Sequence, residues 1–175
     1  EEPIYVPDVF VGRLPARTLE EVTIMVDKMV TYITGGYQPW HSKAAFIATC
    51  DNKYDRIATG SHNYVITNYT TPNGFFGDYP EASILGGDQL YCIVNDEYVN
   101  EIESYIITSL NQGRGLITYS GHGAPLGWYD SYISILNDEI MSLNINNMFS
   151  FVASFACETN DFGSDTNSVG FGETG

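Results

Sequence analysis

Tyr119-Ser120-Gly121-His122-Gly123 and Ser154-Phe155-Ala156-Cys157-Glu158 each close an apolar run with a chemically active side chain. Leu116, Ile117 and Tyr119 precede the histidine; Phe149, Phe151, Val152 and Phe155 precede the cysteine. Both runs are too short for helices and rich in β-formers, so they read as buried strands. Laid parallel in one sheet, their carboxyl ends emerge at one edge, where open α/β sheets bind ligands. A thiol and an imidazole at that edge form a pair able to attack a carbonyl carbon. The thiolate is the nucleophile and the imidazole moves protons. Backbone N–H groups stabilise the developing oxyanion best, because they are aimed in advance. Gly123, with no side chain to block approach, and Cys157 itself are the candidate donors. Gly121 lets the chain turn off its strand. Taken singly, the cysteine reads as a small buried hydrophobe and the histidine as a turn residue. Two such residues, each ending a strand and separated by one helical connection, favour a functional pair.

Outward from these runs the chain alternates strand and helix. Residues 9–11 read as a short strand. Thr18 is an N-cap with Glu21 completing a capping box. Leu19, Val22, Met25, Val26, Met29, Val30 and Ile33 follow at helical spacing, and Gly35-Gly36 stops that helix. Met25 and Met29 read as core, not as part of a cofactor site. Lys43–Cys50 is the next strand, residues 60–68 a short helix, and Thr71–Gly87 a loop. Gln89–Val94 is a strand and Glu97–Gln112 an amphipathic helix through Val99, Ile102, Tyr105, Ile106 and Leu110. Strand 115–120, a helix near 137–143 and strand 148–155 complete the series. Repeated βα units predict an α/β fold, a mostly parallel sheet with helices on both faces.

The 175 residues suffice for one domain with a real core. With 22 acidic against 7 basic residues the net charge is −15, which argues against nucleic-acid binding and against docking on anionic membranes. The acidic residues are scattered, as on a solvated surface. Three cysteines do not make a disulfide framework; with Cys157 as nucleophile, Cys50 and Cys92 read as buried free thiols on strands. The sequence contains no signal peptide and no transmembrane stretch.

The Tyr-Ser-Gly-His-Gly run, followed some thirty residues later by Ala156-Cys157 and then Asn160-Asp161-Phe162, resembles the gingipain family of cysteine peptidases in the caspase-like clan. Asp8-Val9-Phe10-Val11-Gly12-Arg13-Leu14-Pro15-Ala16 is similar to the segment that opens the catalytic subdomain of that family. Ile47-Ala48-Thr49-Cys50-Asp51 matches the strand end where gingipains place an acid beside the catalytic histidine. The resemblance covers about residues 8 to 175. It implies a three-layer caspase-like sandwich and a cysteine endopeptidase, secreted or on the cell surface, acting on protein or peptide substrates. It implies that residues 1–175 are part of the catalytic domain, processed or truncated at both ends, whose partner is the remainder of that domain beyond Gly175. Two alternatives remain open: a sortase-like transpeptidase on the same fold, and a non-catalytic adhesion or assembly module.

Asp51 is a candidate to orient His122 and stabilise its imidazolium; an ordinary strand-end turn with Asn52 is the other reading. His62, eleven residues later, stands where Arg-cleaving gingipains carry the acid that pairs with the substrate's basic side chain. The family habit and the acidic charge point to a basic side chain before the scissile bond. Histidine is a departure from that pattern, so Asp55, or an acid beyond this chain, would have to serve; a small or polar preference is the alternative. His62 otherwise reads as a surface residue near a helix start, and His41 as a loop residue. The dyad requires no cofactor. Gingipain-like proteins often carry structural calcium, and Asp51, Asp55, Asp78, Asp161 and Asp165 offer hard oxygens, but no segment has the spacing of a calcium loop.

Overall fold

The structure, a computed structural model, describes residues 9, 12 and 14–159. Most of the expected strand at 9–11, the Asn160-Asp161-Phe162 run and Asp165 lie outside the described residues. In chain order the elements are α1 (Leu19–Thr34), β1 (Ala44–Ala48), α2 (Asp55–Val65), β2 (Phe76–Gly77), β3 (Ile84–Leu85), β4 (Asp88–Tyr91), β5 (Ile93–Val94), β6 (Glu97–Tyr98), α3 (Ile102–Asn111), β7 (Leu116–Ser120), β8 (Gly123–Ala124), β9 (Gly127–Asp130), β10 (Ile133–Leu136), α4 (Asn137–Ser142) and β11 (Phe151–Phe155).

The expected parallel sheet is present, with strand order β11-β7-β1-β4. β1 pairs in parallel with β4 and β7, and β7 with β11. The run Ala-Ala-Phe-Ile-Ala of β1 is buried throughout, as a central strand covered on both faces must be. Its alternation divides the core. Ala45 and Ile47 pack with Ile102, Ile106 and Leu110 of α3. Ala44, Phe46 and Ala48 pack with Ala58 of α2 and with Ile66. Helices therefore cover both faces. The chain leaves β1 for β4 on one side and returns past β1 to β7 on the other, so connections diverge between β1 and β7. Sheets of this kind open a crevice at that point, outside the carboxyl ends of the strands.

The opposite, amino-terminal end of the sheet is closed by a buried ion pair. Asp88, fully buried, accepts hydrogen bonds from Arg114 Nε at 2.7 Å and from the N–H of Tyr79 at 3.0 Å. A buried charge is tolerable only when satisfied in this way.

Several expectations need correction. α1 carries the capping box, Thr18 Oγ1 accepting from Glu21 N–H and Glu21 Oε2 from Thr18 N–H, but no residue of α1 is buried and Met29 is 45 % exposed. Its apolar stripe, Met25 and Met29 included, lines an open groove with Phe149 and Phe151 instead of a closed core. β11 is likewise not buried: it is the edge strand among the described residues, and Phe151 and Phe155 are 68 % and 65 % exposed. The helix placed at 60–68 begins at Asp55, and that placed at 97–112 begins at Ile102 because 93–98 turns back as a hairpin. Residues 123–136, between the expected strand 115–120 and the expected helix near 137–143, form an antiparallel β8-β9-β10 meander. Cys50 and Cys92 are joined by a disulfide, not free. Ala48 of β1 lies opposite Tyr91 of β4, so the two cysteines just beyond those positions leave the sheet side by side.

Candidate active site

Ala48, Ser120 and Phe155 form one row across three parallel strands. The residues singled out from the sequence follow directly: Asp51 three past Ala48, His122 two past Ser120, Cys157 two past Phe155. All three leave the carboxyl edge of the sheet together. Asp51 Oδ2 accepts a hydrogen bond from His122 Nε2 at 3.0 Å. That bond, with a second from Lys53 N–H, holds the Asp51 carboxyl below the usual carboxylate range. Cys157 is exposed. With two of the three cysteines bonded to each other, it is the one free thiol of the chain.

Backbone contacts tie the His122 turn to the Cys157 turn. Gly121 N–H donates to Phe155 C=O at 3.3 Å. A Cβ on Gly123 would stand 2.6 Å from the carbonyl oxygen of Cys157 and 2.9 Å from Ala156 Cβ, so only glycine fits there. A Cβ on Gly121 would meet the Tyr119 hydroxyl at 2.5 Å. That hydroxyl donates to the His122 carbonyl at 2.6 Å. Burial, with the Asp130 charge adding to it, pushes the Tyr119 pKa up, which keeps the phenol a donor. Glu158, directly after Cys157, sits in the left-handed region at φ 59°, a conformation costly for a residue with a side chain and concentrated at functional turns.

A further set of contacts, without a local sequence signal, supports the Asp51 loop. Asp130, at the end of β9, accepts from the Thr49 hydroxyl and from Cys50 N–H at 3.1 Å. Thr49 Oγ1 accepts in turn from Asp51 N–H at 3.1 Å. The meander that follows His122 thus returns to pin the loop carrying Asp51. No local signal marks Asp130, because its partners lie some eighty residues earlier.

His62 is not a surface residue. It faces the sheet from α2 and is 2 % exposed, its Nε2 paired with Ser120 Oγ at 2.9 Å and its Nδ1 without a partner. Burial lowers its pKa to about 4. A stripe of three residues at a spacing of four, Ala58, His62 and Ile66, all buried, carried this signal. Asp55 opens α2 and does not line the cavity beside His122. His41 lies in a short 3₁₀ turn, its Nδ1 accepting from Gln38 N–H at 3.0 Å. Among the described residues no group of three or more His, Cys, Asp or Glu is disposed to hold a metal ion; Asp78 is engaged by Lys43 and Arg114. No helix among them is long and apolar enough to cross a membrane.

The family model for Peptidase family C25 matches residues 2–174. The chain belongs to peptidase family C25. It is 25% identical over 164 residues to Lys-gingipain HG66 of Porphyromonas gingivalis, covering 90% of this chain and 8% of that protein. A solved protease structure superposes with a TM-score of 0.68 at 20% identity, over 91% of this chain and 31% of that one. The Arg-specific cysteine proteinase gingipain R does so with a TM-score of 0.58 at 21% identity, over 95% and 35%. At that identity the two superpositions establish the C25 fold for this chain. The chain spans about a third or less of each of these relatives.

Proposed function

We propose that this chain carries the catalytic dyad of a cysteine endopeptidase. The observation that carries the reading is the shared row Ala48–Ser120–Phe155, which delivers Asp51, His122 and Cys157 to one edge of the sheet. His122 takes the Cys157 proton, and the thiolate sulfur bonds to the substrate carbonyl carbon. The carbonyl electron pair moves onto oxygen, which the N–H groups of Gly123 and Cys157 receive. The pair returns, the C–N bond breaks, and the His122 proton leaves with the amine. Water then loses a proton to His122 and attacks the thioester, releasing the acid and restoring the thiol. Asp51 holds the imidazole in orientation throughout.

The Cys50–Cys92 disulfide supports an oxidising location, hence secretion or the cell surface. The exposed edge of β11 and the coverage of about a third of the solved relatives support a larger catalytic unit of which this chain is part. The test is hydrolysis of a mixed peptide pool by the intact protein and its Cys157→Ala variant. Turnover should vanish in the variant with thermal unfolding unchanged, since the side chain is exposed. Retained turnover rules the dyad out; release of peptides only when an amine acceptor is added would make the enzyme a transpeptidase.

A further inference from the structure

A cavity of about 240 Å³ opens beside His122 and Gly121, between the carboxyl ends of β1 and β7 and the first turns of α2. This is the point where the sheet connections diverge. Its walls are Ile57, Ala58 and Tyr54, with the hydroxyls of Thr49, Ser61 and Ser120. Resting on the peptidase reading above, we propose that this cavity receives the side chain of the residue whose carbonyl is attacked. It selects an uncharged, mainly apolar side chain and excludes arginine and lysine.

The placement follows from contacts. Gly121 and His122 form one lip of the cavity, and Gly123 beside them lies against Cys157. A side chain next to the attacked carbonyl reaches the α2 side from there.

The chemistry follows from what lines it. Among the described residues no carboxylate faces the cavity. Of the carboxylates around it, Asp55 opens α2 without lining the cavity, Asp51 is engaged by His122 and Lys53 N–H, and Asp130 by Thr49 and Cys50 N–H. The hydroxyls are engaged as well. Ser61 donates to Ile57 C=O at 2.9 Å, and Ser120 pairs with the buried imidazole of His62. A guanidinium or ammonium entering here finds no carboxylate to pair with among the described residues and displaces water from Ile57, Ala58 and Tyr54 without a compensating charge. An apolar side chain leaves nothing unsatisfied.

The test uses electrophilic peptidyl probes that differ only in the residue next to the warhead, with labelling of Cys157 followed by intact mass on the native protein. Leucine and phenylalanine probes should label about tenfold or more faster than arginine and lysine probes. Equal or faster labelling by the basic probes overturns the proposal and leaves the dyad standing. Labelling by no peptidyl probe, with a small alkylating agent still reacting, overturns the dyad and the cavity together. In Ser61→Asp, an exposed position on α2, the preference should shift about tenfold toward the basic probes; an unchanged ratio places the side chain elsewhere and overturns the proposal.

Discussion

Asp51 and His122 are seventy-one residues apart in sequence and 3.0 Å apart between Oδ2 and Nε2. The contact spans neighbouring strands, so it exists only when β1 and β7 pair in the observed register. His122 is half exposed and Asp51 is 29 % exposed, so the bond contributes little to folding and its value lies in orientation.

Asp51→Asn should therefore lower kcat/KM by about a hundredfold, the lower end of what a general acid–base apparatus contributes, with the melting temperature nearly unchanged. The Asp51 carboxyl is held below its ordinary range by the His122 bond first and Lys53 N–H second. A depressed carboxylate keeps its interaction at neutral pH and loses it only as pH falls through the folded value. The ratio of wild-type to variant kcat/KM should thus be flat from about pH 5 to 8. A ratio that collapses within that window contradicts the assignment.

Asp130 acts through Thr49 and Cys50 on the same loop. Asp130→Ala leaves the Thr49 hydroxyl and Cys50 N–H without their acceptor, a loss of about 1–3 kcal/mol in stability. Asp130→Asn keeps an acceptor oxygen. The asparagine variant should recover most of the stability, and kcat more than KM should distinguish both variants from wild type. Equal kcat in all three proteins would make Asp130 purely structural.

His62 gives the fold a pH dependence of its own. Its pKa falls from 6.5 unfolded to about 4 folded, through burial. Between those values the unfolded chain binds the extra proton, so stability declines as pH drops from 6.5 toward 4. The full difference is about 3 kcal/mol. Urea midpoints of wild type and His62→Gln, measured across that window, should converge toward acid pH, the variant lacking this part of the slope. Parallel curves would count against a neutral, buried His62.

The disulfide joins positions 42 residues apart. Loop-closure entropy assigns such a link about 4 kcal/mol. Cys50→Ala with Cys92→Ala should lower the unfolding free energy by that order. Alkylation of the native protein should modify one thiol per chain, and three after reduction and unfolding; three in the native protein would refute the pairing.

The βα alternation, the Thr18–Glu21 capping box and the two strand-end motifs were legible because each rests on local spacing. What escaped rests on which strands become neighbours. Cys50 and Cys92 looked like separate buried thiols, since nothing local says that β1 and β4 lie side by side. His62 was misjudged through an error of five residues in the start of α2; with Asp55 as the first residue, it falls on the buried stripe of Ala58 and Ile66. The meander over 123–136 has strands of two to four residues separated by Pro125-Leu126 and Ser131-Tyr132, too short for period-two alternation to stand out. The apolar faces of α1 and β11 were read as core because periodicity reports that a face is apolar, not what lies against it.

The row Ala48–Ser120–Phe155 also determines where the gene can tolerate change in length. The backbone ladder is a ruler graduated in single residues: deleting one residue inside β1, β7 or β11 turns every later side chain of that strand to the other face and carries Asp51, His122 or Cys157 out of the set. Extra residues in the connections cost little, because closing a longer loop is only slightly more demanding. Insertions can therefore accumulate between the strands, in segments such as 71–87 or 95–101, while the three short strands hold their count. Relatives could then differ greatly in size and surface and still present the same three side chains in the same order.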